Sequence, residues 1–319
     1  MGEVYKVVHL ERGTVHALKY LPLANSKIRK RLLREADLQT QLAHQNVVTL
    51  TEVLDIEGDP GLVMEYVDGP PLSLWLRERR LTLEEAEALF IGVVSGVAHA
   101  HRRGLVHRDL KPSNILLART PDGMIPKVAD FGIAKALSGD HEKLTQSGHS
   151  LGSPAYMAPE QIQNAHEVDQ RADMFSLGCL LFELVCGVRA FQGEDTLEVL
   201  NAVAQGNYVH PTQVVPDLPG RIVDSIVRCL AQDPKQRVQT CEELLEILDT
   251  GSDDPMTPVS PRRSEEATHP RIKTWSVEKT VPARGAQAGW ERVASVVFTL
   301  GVLVAALLLG IFGAWIILG

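Results

Sequence analysis

The chain has only four cysteines, Cys179, Cys186, Cys229 and Cys241, and no two of them form a C-x-x-C pair. That excludes a disulfide framework or a cysteine-built zinc site, and the expectation is small buried thiols in a reducing compartment. Basic residues are also short: 32 Lys and Arg stand against 40 Asp and Glu, a net charge of -8. A nucleic-acid binder needs a basic face, so no nucleic-acid partner is expected. With 25 glycines and 18 prolines in 319 residues, the sequence is not of low complexity. Met1 to Leu10 carries charges and no long apolar run, which excludes a signal peptide there. No internal repeat is visible.

One charge-free stretch stands out. Val293 to Leu318 is 26 residues of mostly Val, Leu, Ala and Ile without a charged side chain. As a helix it would extend about 39 Å, enough to cross a hydrocarbon core of about 30 Å with some tilt. Lys273, Lys279, Arg284 and Arg292 precede it and no Lys or Arg follows. The positive-inside rule then puts residues 1–292 in the cytoplasm, with a single pass through the cell (inner) membrane and lipid as a partner. Trp290 and Trp315 lie near its two ends, where amphipathic rings favour the interface. Ala306, Gly310 and Ala314 repeat at four-residue spacing, which would let two such helices pair closely. Thr250 to Gly289 is rich in Pro, Ser, Thr, Gly and mixed charge, so residues 250–292 read as a flexible juxtamembrane linker.

With 45% apolar and 23% charged residues, the remainder can bury a sizeable core. Its pattern divides residues 1–249 into two parts. In the first, residues 1–67, Val4 to Val8, Val15 to Leu18, Val47 to Asp55 and Leu62 to Tyr66 read as strands, and Ile28 to Ala43 as a helix. In the second, residues 68–249, amphipathic helices are expected over Glu84–Arg102, Arg171–Cys186 and Pro219–Ala231. The fold class is therefore α+β, a small sheet-rich lobe before a larger helical one.

The residues that carry chemistry come in order. His107-Arg108-Asp109-Leu110-Lys111-Pro112-Ser113-Asn114 holds a carboxylate able to take a hydroxyl proton, a lysine able to neutralise moving charge and an amide able to ligate magnesium. Sixteen residues after Asn114 comes Asp130-Phe131-Gly132, behind a strand-like run from Pro126 to Ala129. Together these resemble the eukaryotic-like (Hanks-type) serine/threonine protein kinase family of bacteria.

That resemblance covers nearly all of residues 1–249 and implies the bilobal protein-kinase fold, with ATP and Mg2+ (Mn2+ as a substitute) as cofactors. It makes Asp109, Lys111 and Asn114 catalytic, with Asn114 and Asp130 as metal ligands. Lys19, in Ala17-Leu18-Lys19, would hold the phosphates and pair with Glu35 on the following helix. Gly2, Val4 and Ala17 would wall the nucleotide site. Backbone groups of Glu65 and Val67 would bond the adenine, behind Met64 as gatekeeper. Gly152 to Glu160 resembles the end of the activation segment, with Glu160 paired to Arg237 and Asp173 supporting the catalytic loop. Arg108 beside Asp109 implies control by activation-loop phosphorylation, with Thr145, Ser147 and Ser150 as acceptors. The implied activity is transfer of the γ-phosphoryl group of ATP to protein Ser/Thr hydroxyls, of the EC 2.7.11.1 type. Protein substrates are the expected partners, along with a homodimer through the kinase domain or the membrane helix.

The sequence departs from the family at its beginning. Of the glycine-rich loop G-x-G-x-x-G-x-V only Met1-Gly2-Glu3-Val4-Tyr5-Lys6 remains, so strand one and two glycines are missing. One expectation is a true start upstream of Met1. The other is a short protein with a truncated phosphate lid, which would make it a membrane-tethered pseudokinase with impaired nucleotide binding.

Overall fold

The computed structural model describes residues 3–23, 25–121, 123–131, 154–163 and 168–254. The first lobe is built on four antiparallel strands: β1 (Glu3–Val8), β2 (Val15–Tyr20), β3 (Leu50–Ile56) and β4 (Asp59–Glu65), in the spatial order β1-β2-β4-β3. β3 and β4 are joined through Glu57 and Gly58, both at positive φ (53° and 96°), as a tight primed hairpin turn requires. Register puts Lys19 opposite Val4 on one side and Leu62 on the other, and Ala17 opposite Lys6 and Met64.

Helix α1 (Ser26–Thr40) begins two residues before the expected start, because the Asn25 side chain caps the amides of Lys27 and Ile28. It buries Leu32, Ala36 and Gln39, one face at helical spacing, against the sheet. The expected continuation to Ala43 fails for a packing reason. Leu42 and Val47 are fully buried in the larger lobe's core, while Leu32, Ala36, Val48 and Leu50 fill the smaller one. The chain thus leaves the helix to dock on the second lobe. Val47 accordingly makes an isolated bridge to Val128, and β3 starts only at Leu50.

The second lobe contains α2 (Leu72–Glu78), α3 (Leu83–His101), a hairpin of β5 (Ile115–Thr120) and β6 (Gly123–Val128), α4 (Pro159–Gln163), α5 (Arg171–Cys186), α6 (Thr196–Gln205), α7 (Pro211–Val214), α8 (Gly220–Cys229) and α9 (Cys241–Thr250). α3 opens on a full capping box, the Thr82 hydroxyl accepting from the Glu85 amide while the Glu85 carboxylate accepts from the Thr82 amide. α5 corrects the amphipathic expectation: thirteen of its residues are buried, from Ala172 to Cys186. A helix buried on nearly all sides lies in the middle of a core. Gly178 is what lets α8 approach, since a Cβ there would come within 2.6 Å of the Cys229 Cβ. All four cysteines are free and buried, as expected.

No helix among the described residues is long and apolar enough to cross a membrane. Residues 250–254 continue the folded lobe, the Asp254 and Ser252 carbonyls accepting from the Gly220 and Arg221 amides. The rest of the expected linker and the 293–318 segment lie outside the described residues.

Candidate active site

The loop after α3 is organised from beneath by one carboxylate. Asp173 has no exposed surface and accepts hydrogen bonds from the His107 amide (2.7 Å), the Arg108 amide (2.8 Å) and His101 Nε2 (2.8 Å). Burial acts to raise its pKa. The His101 hydrogen bond, the positive potential of His101 and His107, and the Arg108 amide outweigh that, so the carboxyl lies below its usual range. Two donated amides fix Arg108 at φ 66°, a left-handed conformation that a non-glycine residue adopts only when its surroundings impose it. His107 is buried too. Its Nε2 reaches the Ala129 carbonyl (2.8 Å), its Nδ1 accepts from the Asp109 amide (3.2 Å), and its ring meets Phe131 edge-on at 4.8 Å.

Above this support lie the polar side chains of the motif. Lys111 Nζ contacts both Asp109 oxygens, at 2.9 and 2.7 Å. Asn114 Nδ2 donates to the Asp109 carbonyl (2.7 Å) and to Asp109 Oδ2 (3.1 Å), which leaves its amide oxygen for a cation. Asn114 closes a 3-10 turn, Pro112–Asn114, from which β5 departs. Its carbonyl accepts from the Ala129 amide (2.8 Å) and so brings the end of β6 alongside. The next residue, Asp130, is again at φ 66°.

From the other lobe, Lys19 reaches across: its Nζ lies 2.8 Å from Asp130 Oδ1, with the side chains 14% and 29% exposed. The resemblance implied Glu35 as the partner of Lys19; the structure places Asp130 against it. A largely desolvated ammonium takes the carboxylate that faces it across the cleft, and here that is Asp130. Glu35 is half-buried on α1. Asp109, Lys111, Asn114, Asp130 and Lys19 are thus brought to one interlobe cleft.

Among the described residues no cluster of three or more His, Cys, Asp or Glu side chains could hold a metal ion. The Asp130 carboxylate and the Asn114 amide oxygen form a small all-oxygen donor set. That fits Mg2+, which takes one or two protein ligands and completes its shell with phosphate oxygens and water.

Beside this polar end, Ala17, Val67, Leu116 and Ala129 are partly buried and pack against the smaller lobe's core, which holds Met64. Leu116 was not anticipated; its signal was the apolar run Ile115-Leu116-Leu117 directly after Asn114. The Glu65 amide donates to the Thr49 carbonyl (2.9 Å) and is therefore already engaged. Lys127 was also missed. Its Nζ lies 2.9 Å from the Glu65 carboxylate and ties β6 of one lobe to β4 of the other. Val4 is exposed on β1, and Gly2 lies outside the described residues.

Arg237 has no exposed side-chain surface and binds both Glu160 oxygens (2.7 and 3.1 Å). It also donates to the carbonyls of Arg171 and Ala231 and stacks over Phe175 at 5.1 Å. Arg108 Nη2 donates to the Val168 carbonyl (2.7 Å). Thr145, Ser147 and Ser150 lie outside the described residues.

The chain is similar to known proteins in sequence and in fold. The family model described as "Protein kinase domain" matches residues 1–247. Among curated proteins, the chain is similar to the probable serine/threonine-protein kinase CPE1738 of Clostridium perfringens, 33% identical over 243 residues, 76% of this chain and 35% of that protein. It is also similar to serine/threonine-protein kinase PknH of Mycobacterium tuberculosis, 32% identical over 291 residues, 89% of this chain and 45% of PknH. The chain therefore spans less than half the length of these relatives. Among solved structures, the kinase domain of Mycobacterium tuberculosis PknI superposes with a TM-score of 0.61 at 27% identity, covering 78% of this chain and 90% of that one.

Proposed function

This chain belongs to the protein kinase family, and on that premise we propose that it transfers the γ-phosphoryl group of ATP to serine and threonine hydroxyls of proteins, itself included. When bound, Mg2+ and ATP supply the phosphoryl group and the cation that neutralises its charge. Asp130 and the Asn114 amide oxygen would hold the metal, and Lys19 the phosphates. Ala17, Val67 and Leu116 would enclose the adenine, with the Glu65 carbonyl and the Val67 backbone as its polar partners. The Asp109 carboxylate would orient the incoming hydroxyl and accept its proton. Lys111, bonded to that carboxylate, would offset charge on the phosphoryl group in flight.

The observation that carries the reading is the Asp109–Lys111–Asn114 hydrogen-bonded cluster facing the Lys19–Asp130 ion pair. The pseudokinase reading has less support, since each of these groups is present and mutually bonded. The test is phosphate transfer from Mg-ATP by the full chain. Asp109→Asn, which removes the base but keeps the shape, should lower incorporation by about 10²–10⁴-fold. Equal incorporation by both proteins would remove Asp109 from the mechanism.

We further propose that residues 293–318 anchor the protein in the inner membrane with the catalytic lobes in the cytoplasm, and that the Ala306, Gly310 and Ala314 stripe permits pairing of two copies. The support is the charge-free run and the basic residues before it. Release of the full chain from membranes by alkaline carbonate would refute the anchor. Autophosphorylation would fall on Thr145, Ser147 or Ser150, which phosphopeptide mapping would locate.

A further inference from the structure

The peptide unit between Arg108 and Asp109 is held at both of its polar groups by side chains. Its N–H, on Asp109, donates to His107 Nδ1 at 3.2 Å. Its carbonyl, on Arg108, accepts from Gln161 Nε2 at 2.8 Å. Gln161 is itself fixed, because its Oε1 accepts from the Ala158 amide at 2.9 Å. The element that carries it, α4, is anchored by the neighbouring Glu160 on buried Arg237. Ser176 Oγ holds the Tyr156 carbonyl just upstream at 2.8 Å.

This arrangement matters because Arg108 is in the left-handed region. A peptide plane that follows such a residue gains by rotating back towards an ordinary conformation unless both its dipoles are held. Rotation would carry the Asp109 Cα–Cβ direction with it, and the carboxylate would leave the position set by Lys111 and Asn114. His107 secures the plane from the side of Asp130, through the Ala129 carbonyl. Gln161 secures it from the opposite side, where the Gly152–Glu160 segment ends.

We propose that Gln161 is a positioning residue for phosphoryl transfer: it locks the Arg108–Asp109 peptide plane, and through it aims the Asp109 carboxylate. The inference rests on the kinase reading above and assigns it a residue that acts through the Arg108 carbonyl.

Two variants of the full chain test it, with kcat and KM for ATP and for a protein acceptor, and Mg-ATP binding, measured beside wild type. Gln161→Met keeps the volume and removes both hydrogen bonds. Gln161→Glu keeps the acceptor for the Ala158 amide and removes only the donor facing the Arg108 carbonyl. Each should lower kcat roughly tenfold, the effect of one hydrogen bond, with KM for ATP and nucleotide affinity changed less than about twofold. A role confined to folding would not move the next readout. On acidification the new carboxyl of Q161E gains a proton that it can donate to the same carbonyl. The ratio of Q161E to wild-type kcat should therefore rise between pH 8 and pH 5.5, while the ratio for Q161M stays flat.

An inactive wild type defeats the kinase reading itself. An active wild type with unchanged kcat in both variants overturns the role of Gln161. Should Q161M lose nucleotide binding through misfolding, Q161E decides alone: a pH-independent deficit, or none, overturns the inference.

Discussion

Arg237 is a guanidinium without solvent contact. It is tolerated because Glu160, three carbonyls and the Phe175 ring surround it. Removing one member of such a pair costs about 3–5 kcal/mol. Arg237→Ala should therefore lower the melting temperature by roughly 6–20 °C for a domain of this size, measured by calorimetry on the purified chain. Asp173 carries a similar obligation with a pH sign. Its folded pKa is depressed, so its contribution to stability is full above the unfolded carboxylate value and is lost as pH falls through the folded one. Asp173→Asn should show a shallower loss of stability on acidification below about pH 4. The variant should be less stable than wild type at neutral pH, and denaturant titrations at pH 7 and pH 3.5 would measure both effects. Most of the chemistry at this scale was legible, because His107 to Asn114 is one contiguous segment whose spacing is its geometry. Leu116, Lys127 and Gln161 were not, since each acts through a partner far off in sequence: the opposite lobe for Leu116, Glu65 for Lys127, Arg108 for Gln161. The Lys19–Asp130 contact is not legible in the sequence, because it joins residues of different lobes that are far apart along the chain.

Among the elements, legibility followed length and amphipathicity. α3 is nineteen residues long with its caps written in Thr82 and Glu85, and it was read to within a residue at each end. α2 has seven residues, too few for a helical period to declare itself, and was missed. α5 was located to the residue, yet its character was misread because burial on all sides leaves no polar face. Close approach of α8 to α5 depends on Gly178. Gly178→Ala has to displace Cys229 and should destabilise the protein by about 1–3 kcal/mol, visible as an earlier urea midpoint with an unchanged slope. Loss of the α3 cap in Thr82→Ala should cost about 1 kcal/mol, a drop of roughly 2–4 °C in Tm.

At the scale of the whole molecule, the two lobes meet, among the described residues, in two regions besides the cleft. One is His44 to Val48 on α3 and β6, where the His44 and His99 rings lie 4.9 Å apart. His44 accepts from the Asn46 amide and contacts Ser95, with Arg102 and Lys127 nearby; His99 faces Arg103 and Arg102. Burial first, and these cations second, depress both histidines below the usual value. Folding therefore favours the neutral form of each, relative to the unfolded chain. Stability should hold above about pH 6.5 and fall as pH drops through the folded values. His99→Phe should reduce the Tm loss between pH 7.5 and pH 5.5. The other region is the strand β4 crossover, secured by Glu65 and Lys127. Two separated attachments define a line, and a body held along a line can turn about it but cannot slide. Any opening of the small lobe is therefore a swing, and its displacement grows with distance from that axis. Lys19 and α1 would travel while Glu65 and Val47 stay nearly still, so the cleft would keep its shape beside Met64 and Val67 while its Lys19 end gapes.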